Sequence, residues 1–101
     1  MRLIVMFDLP TLTSTDRRAY RHFKKALERE CFLMLQESVY MRVCPNNKSA
    51  DFLIARLKNI SPDDGLIQAM MVTEKQYQAM IFISGTASHD LRNSAARTVI
   101  L

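Results

Sequence analysis

The chain has 101 residues, 49% hydrophobic and 24% charged, with a formal net charge of +4. That length holds one domain with no room for a second core, and the apolar fraction is too high for intrinsic disorder. Two glycines and three prolines exclude collagen-like and low-complexity architectures.

Taken in chain order, Arg2 to Phe7 is a nearly continuous apolar run, the length of a strand covered on both faces. It is far too short for the roughly 20 residues of a bilayer span. No small-residue cleavage site of a secretory signal follows it. The expectation is a cytoplasmic protein with no membrane association. Cys31 and Cys44, with neither a CxxC spacing nor a histidine partner nearby, read as buried reduced thiols.

Asp8-Leu9-Pro10 ends the first strand, because Pro10 cannot extend a ladder and restricts the residue before it. Thr13 with Asp16 three residues on is a capping-box pattern, and a helix is expected over about Ser14 to Glu30. Its apolar side collects Ala19, Tyr20, Phe23, Ala26 and Leu27 at helical spacing. The opposite arc collects Arg17, Arg18, Arg21, Lys24, Lys25 and Arg29, with Glu28 as the acid inside it. Seven Lys/Arg against four Asp/Glu in residues 1–30 put +3 of the +4 in this first third.

Phe32 to Gln36 and Ser38 to Cys44 are strand-like, with Glu37 as a bend between them. Pro45-Asn46-Asn47 breaks the run, and a second helix follows with Ala50, Leu53, Ile54 and Leu57 at i, i+3, i+4, i+7. Ser61-Pro62-Asp63-Asp64-Gly65 is a turn in which Gly65 is free to take positive φ. Leu66 to Val72 reads as a strand, Thr73 to Ala79 as a short helical turn capped by Thr73, and Met80 to Ile83 as another strand. Residues 1–83 thus form the expected core, 84–95 a Ser/Thr/Asn/Gly-rich linker, and 96–101 a detached final strand.

This order gives an α+β class, with the ferredoxin-like βαββαβ sandwich as the natural candidate. Two assignments supply its strands. Residues 32–44 pair on themselves around Glu37, or they merge into one long bent strand, with 66–72 and 80–83 completing the sheet. The merged strand is favoured.

Enzyme patterns are sparse. There is no GxGxxG, P-loop or HExxH. His22 and His89 have no partner at metal-ligand spacing, and Ser38 has no placed base. The seven methionines suit core filling. Asp8 remains, at the carboxyl end of the first strand where open sheets place ligands. Its bland alternative is an Asp capping the Leu9-Pro10 turn. One carboxylate makes a poor Mg²⁺ site, but a two-fold dimer supplies a second Asp8. The basic face of the first helix remains too. Ordinary solvated faces mix signs at i,i+4, whereas cations spread along one rod suit a phosphate backbone, bound without reading bases.

Four segments in order then resemble a known family. They are Met-Phe-Asp-Leu-Pro (6–10), Arg-Arg-Ala-Tyr-Arg-His-Phe-Lys-Lys (17–25), Gln-Glu-Ser-Val-Tyr (36–40) and Val-Thr-Glu-Lys-Gln-Tyr (72–77). Together they are similar to the CRISPR-associated protein 2 family, nearest its type II-A branch.

The resemblance implies a ferredoxin-like homodimer whose final strand, with Val99, Ile100 and Leu101, joins the partner's sheet. Ser38 and Tyr40 would lie near the dimer cleft. It implies a role in CRISPR adaptation: a scaffold bridging dimers of the CRISPR-associated protein 1 integrase and holding double-stranded DNA. Arg17, Arg18, Arg21, Lys24 and Lys25 would supply backbone contacts. The alternative it implies is an endonuclease acting on RNA or DNA, with Asp8 from both protomers as catalytic residue and ligand of Mg²⁺.

Overall fold

The computed structural model of the chain describes residues 1–85. Seven elements follow in order: β1 (Arg2–Asp8), α1 (Ser14–Arg29), β2 (Leu33–Gln36), β3 (Val39–Val43), α2 (Asn47–Ile60), β4 (Leu66–Val72) and the short α3 (Glu74–Gln78). The sheet order is β2-β3-β1-β4, antiparallel throughout. With α1 following β1 and α2 following β3, this is the ferredoxin-like arrangement.

The helix starts are fixed locally. The Thr13 hydroxyl accepts from the Asp16 N–H at 3.0 Å while Asp16 accepts from the Thr13 N–H at 3.2 Å, satisfying two donors that a helix end leaves open. Asn46 caps α2 by accepting from the Ser49 N–H at 2.9 Å. Thr73 and Gln76 repeat the reciprocal box at α3.

Two expectations are corrected. The segment 32–44 is not one bent strand but a hairpin, so the alternative pairing is the one observed. Ser38 takes φ 66°, the left-handed conformation that reverses the chain after Glu37. The pairing slips by one residue between Met34 and Gln36. A turn made by Glu-Ser, without Gly, Asn or Pro, carries little sequence signal.

Met80 to Ile83 is likewise not a strand among the described residues, where β4 is bonded on one side only, to β1. Ile81 and Ile83 stand 82% and 98% exposed, so the segment has strand composition without a strand partner. The expected terminal strand 96–101, with Val99, Ile100 and Leu101, and all but the first two residues of the expected linker lie outside the described residues.

The main core lies between the sheet and α1 and α2. Leu3, Val5 and Phe7 of β1 meet Phe23 and Leu27 of α1 and Leu53 and Leu57 of α2. Phe7 is the hub: its ring lies edge-on to Phe23 and Tyr20 at 5.2 and 5.8 Å, and stacks on Tyr40 at 5.7 Å.

The alternate residues of β1 point to the other face. There Ile4 and Met41 are covered by Tyr77 of α3. By register, Asp8 pairs with Leu66, Met6 with Gln68, Ile4 with Met70 and Arg2 with Val72. Towards the Asp8 end this second face is open and Leu66 is exposed on it, while Leu33 and Met70 are exposed at its two edges, level with Ile4.

Candidate nucleic-acid interface and acidic site

The buried side chains of α1 are Phe23, Ala26 and Leu27. They turn the opposite arc outward, away from the sheet. Arg18, Arg21, Lys25 and Arg29 are exposed on it, and Lys24 is half-buried. Among the described residues none of these five cations is held in an ion pair, and the pairs present are Arg2–Glu74 and Arg56–Glu30. Arg17 differs. Its Nη1 donates to the carbonyls of Thr11 and Leu12 at 3.2 and 3.1 Å, so part of its guanidinium braces the loop before α1. Four of the expected phosphate contacts are thus free to bind, and the fifth is partly engaged.

Asp8 closes β1 and is exposed. Gly65, at φ +100°, approaches its backbone so closely that an added Cβ would come within 2.8 Å of the Asp8 carbonyl oxygen. Only a glycine allows this approach without strain, so the turn read from Ser61 to Gly65 positions Asp8. Among the described residues no three His, Cys, Asp or Glu side chains come together as a metal cluster.

Asp8 shares the face of Arg2, Ile4 and Met6, while the cations of α1 lie beyond the opposite face. The two expected surfaces sit on opposite sides of one sheet.

Ser38 and Tyr40, expected near a dimer cleft, face inward. Tyr40 is 2% exposed within the core on the helix side, and its hydroxyl is buried without a hydrogen-bond partner. Burial, reinforced by the charge of Glu28 and by Tyr20 and Glu37, pushes its phenol pKa up. The Ser38 hydroxyl is paired with Tyr20 Oη at 3.2 Å, and its carbonyl accepts from the Phe7 N–H at 3.0 Å. Both residues fasten the hairpin to β1 and α1 within one protomer.

The thiols divide. Cys44 is buried with its pKa raised by that burial, but Cys31, at φ 66°, is exposed, which corrects the expectation of two buried thiols.

Sequence reasoning missed two features. Arg2 is fully buried, its side chain pointing to the second face and held by Glu74 of α3. Arg42, Lys48 and Arg56 line a common cleft beside the end of α1. Both sets bring together residues from distant segments, and no local spacing announces them.

The family profile described as CRISPR associated protein Cas2 matches residues 1–80. A Lacticaseibacillus rhamnosus protein named CRISPR-associated endoribonuclease Cas2 is 54% identical over 101 residues, with both chains covered in full. A Streptococcus mutans protein of the same name is 46% identical over 101 residues, covering 100% of this chain and 93% of that one. The crystal structure of Streptococcus pyogenes Cas2 at pH 6.5 superposes with a TM-score of 0.62 at 22% identity. It covers 83% of this chain and 100% of its own, and supports the fold. With a matching profile over most of its length and relatives at half identity end to end, the chain belongs to the CRISPR-associated Cas2 family.

Proposed function

We propose that this chain acts in CRISPR adaptation as a homodimeric scaffold. Two copies hold a double-stranded DNA by its backbone and bridge dimers of the CRISPR-associated protein 1 integrase while the captured duplex is inserted.

The observation that carries this reading is the outer face of α1, where five cations stand outside the ion pairs of the described residues and Glu28 is the single acid among them. Such a face binds phosphates through counterion release and reads no bases. Two chains of +4 together carry +8, which lengthens the cationic track.

Dimerisation is supported by what one protomer leaves uncovered. The sheet's second face exposes Leu33, Leu66 and Met70, and Ile81 and Ile83 project beyond α3. Large apolar side chains left exposed along both edges of one sheet face suit a partner. A two-fold copy covers it, and the free edge of β4 offers a place for residues 80–83 or 96–101 of the partner to pair.

The test is reconstitution. Mixed with the integrase and a short duplex, the protein is expected to run as a single ternary complex by size exclusion with light scattering. Separate elution of the components at every concentration contradicts the scaffold.

A second reading is a metal-dependent endonuclease acting on RNA or DNA; the relatives are named endoribonucleases. Exposed Asp8 on the open sheet face suits it, since two carboxylates meeting across a two-fold axis, with water and substrate phosphate, fit the oxygen shell of Mg²⁺. When bound, that ion would supply an activated water and stabilise charge on the phosphate. This reading ranks second because the phosphates held on α1 lie across the sheet from the Asp8 of the same protomer.

A further inference from the structure

Where α1 ends and α2 begins, the surface opens into a cleft of about 480 Å³, within the range of small-ligand sites. Its lining includes Arg42, Lys48, Phe52, Leu53 and Arg56 and contains no acidic residue. The neighbours of Phe52 on α2, Ala50 and Leu53, are buried in the core, but its own ring is 69% exposed.

The guanidinium groups are set in place from α1. Arg56 Nη2 pairs with Glu30 Oε2 at 2.6 Å, and Arg42 Nη1 donates to the Glu30 carbonyl oxygen at 2.8 Å. Glu30 directly follows Arg29, the last cation of the α1 face. The C-terminal end of α1 thus meets, through Glu30, a concave site where the Glu30 carboxylate offsets the Arg56 charge and Arg42 and Lys48 add positive charge beside an aromatic surface.

A lone exposed phenylalanine needs no explanation. This one stands among three cations in a cleft, the pairing that single-stranded nucleic acid uses. A base stacks on the ring while basic side chains hold the flanking phosphates. A continuous duplex cannot use the ring, because its base faces are already stacked on one another.

We propose that this cleft binds an unpaired nucleotide, its base stacked on Phe52 and its phosphates on Arg42, Lys48 and Arg56, at the end of a duplex lying along α1. The inference rests on the proposed nucleic-acid role of α1 and adds to it a preference for frayed or overhanging ends.

The test compares a labelled blunt duplex with the same duplex carrying a short single-stranded overhang, by fluorescence anisotropy on the full chain. The overhang is expected to tighten binding by about tenfold, the scale of one stacked base. Phe52→Ala should remove that gain and leave the blunt-duplex affinity and thermal midpoint unchanged, as suits an exposed side chain. Phe52→Trp should restore the gain, and its indole emission should be quenched by the overhang alone.

An overhang that adds nothing while the blunt duplex binds, or a gain that survives Phe52→Ala, overturns the inference and leaves the scaffold reading intact. Quenching of the F52W emission by a poly-glutamate peptide as strongly as by the overhang overturns it in favour of an acidic protein partner. Failure of the blunt duplex to bind removes the nucleic-acid reading itself, and the two failures are thereby told apart.

Discussion

Arg2 and Glu74, 72 positions apart in sequence, form a two-point ion pair: Nε donates to Oε2 at 2.8 Å and Nη2 to Oε1 at 2.5 Å. The Arg2 guanidinium also lies 3.7 Å from the centre of the Tyr77 ring. These contacts fasten α3 over the Arg2 end of the sheet's second face. Arg2 is fully buried and its Nη1 has no partner, so Glu74 is the only acid compensating a buried charge among the described residues.

Glu74→Ala is therefore expected to destabilise the fold by about 3 kcal/mol, the lower end for a broken buried pair because Glu74 is itself partly exposed. Arg2→Met, which removes the buried charge and keeps the volume, should cost less. Urea unfolding of both variants measures the order, and equal losses contradict it.

The same pair sets a pH dependence. Partial burial pushes the Glu74 carboxyl up, but hydrogen bonds from Arg2 and Gln78 and the Arg2 charge outweigh it. The net pKa lies below the ordinary 4.5. A depressed acid stabilises the fold above its unfolded pKa and loses that contribution as pH falls through the folded one. The stability gap between wild type and Glu74→Gln should be constant near neutrality and shrink in acid below 4.5. A gap that widens there contradicts the assignment.

Tyr40 gives a separate test of the core. Its ring stacks on Phe7, yet its hydroxyl is buried without a partner. Tyr40→Phe should leave stability unchanged or raise it by up to about 1 kcal/mol, since an unsatisfied buried hydroxyl is a cost. Tyr40→Ala should lose about 4 kcal/mol through the cavity. A large loss from Tyr40→Phe would mean the hydroxyl has a partner in the assembled protein.

How much of this was legible in the sequence depends on the range of the interaction. Thr13 with Asp16 announces α1, and Thr73 announces α3, because a cap is satisfied within one turn. The spacing of Phe23, Ala26 and Leu27 separated the buried face of α1 from its cationic face. The Glu37-Ser38 reversal is only the less favoured of two sequence readings, because Ser38 adopts a left-handed conformation that its residue type does not advertise. Tyr40 was read from a family resemblance, whereas strand alternation from Phe7 decides which face it occupies. Arg2–Glu74 and the Arg42–Arg56–Phe52 cleft depend on distant segments meeting, and no local pattern encodes that.

The uncovered segment bears on assembly. Replacing Ile81 and Ile83 by lysine removes exposed apolar surface without touching the described core. The double variant is expected to shift sedimentation from dimer towards monomer at concentrations where wild type is dimeric. An unchanged dimer places the interface elsewhere.

Asp8→Asn distinguishes the two functional readings. The exposed side chain can be changed with little effect on folding, so the variant should keep duplex binding and integrase assembly. If cleavage occurs in wild type with Mg²⁺, it should vanish in the variant. Loss of assembly along with cleavage contradicts the separation of the two surfaces.

The salt dependence of affinity for a short blunt duplex, measured for wild type and for Arg18→Gln/Arg21→Gln/Lys25→Gln together, tests the central claim most directly. The account predicts weaker binding by the variant, and a log–log salt slope shallower by about one for each cation that sits on a phosphate. Equal affinity and equal slope for the two proteins would contradict it.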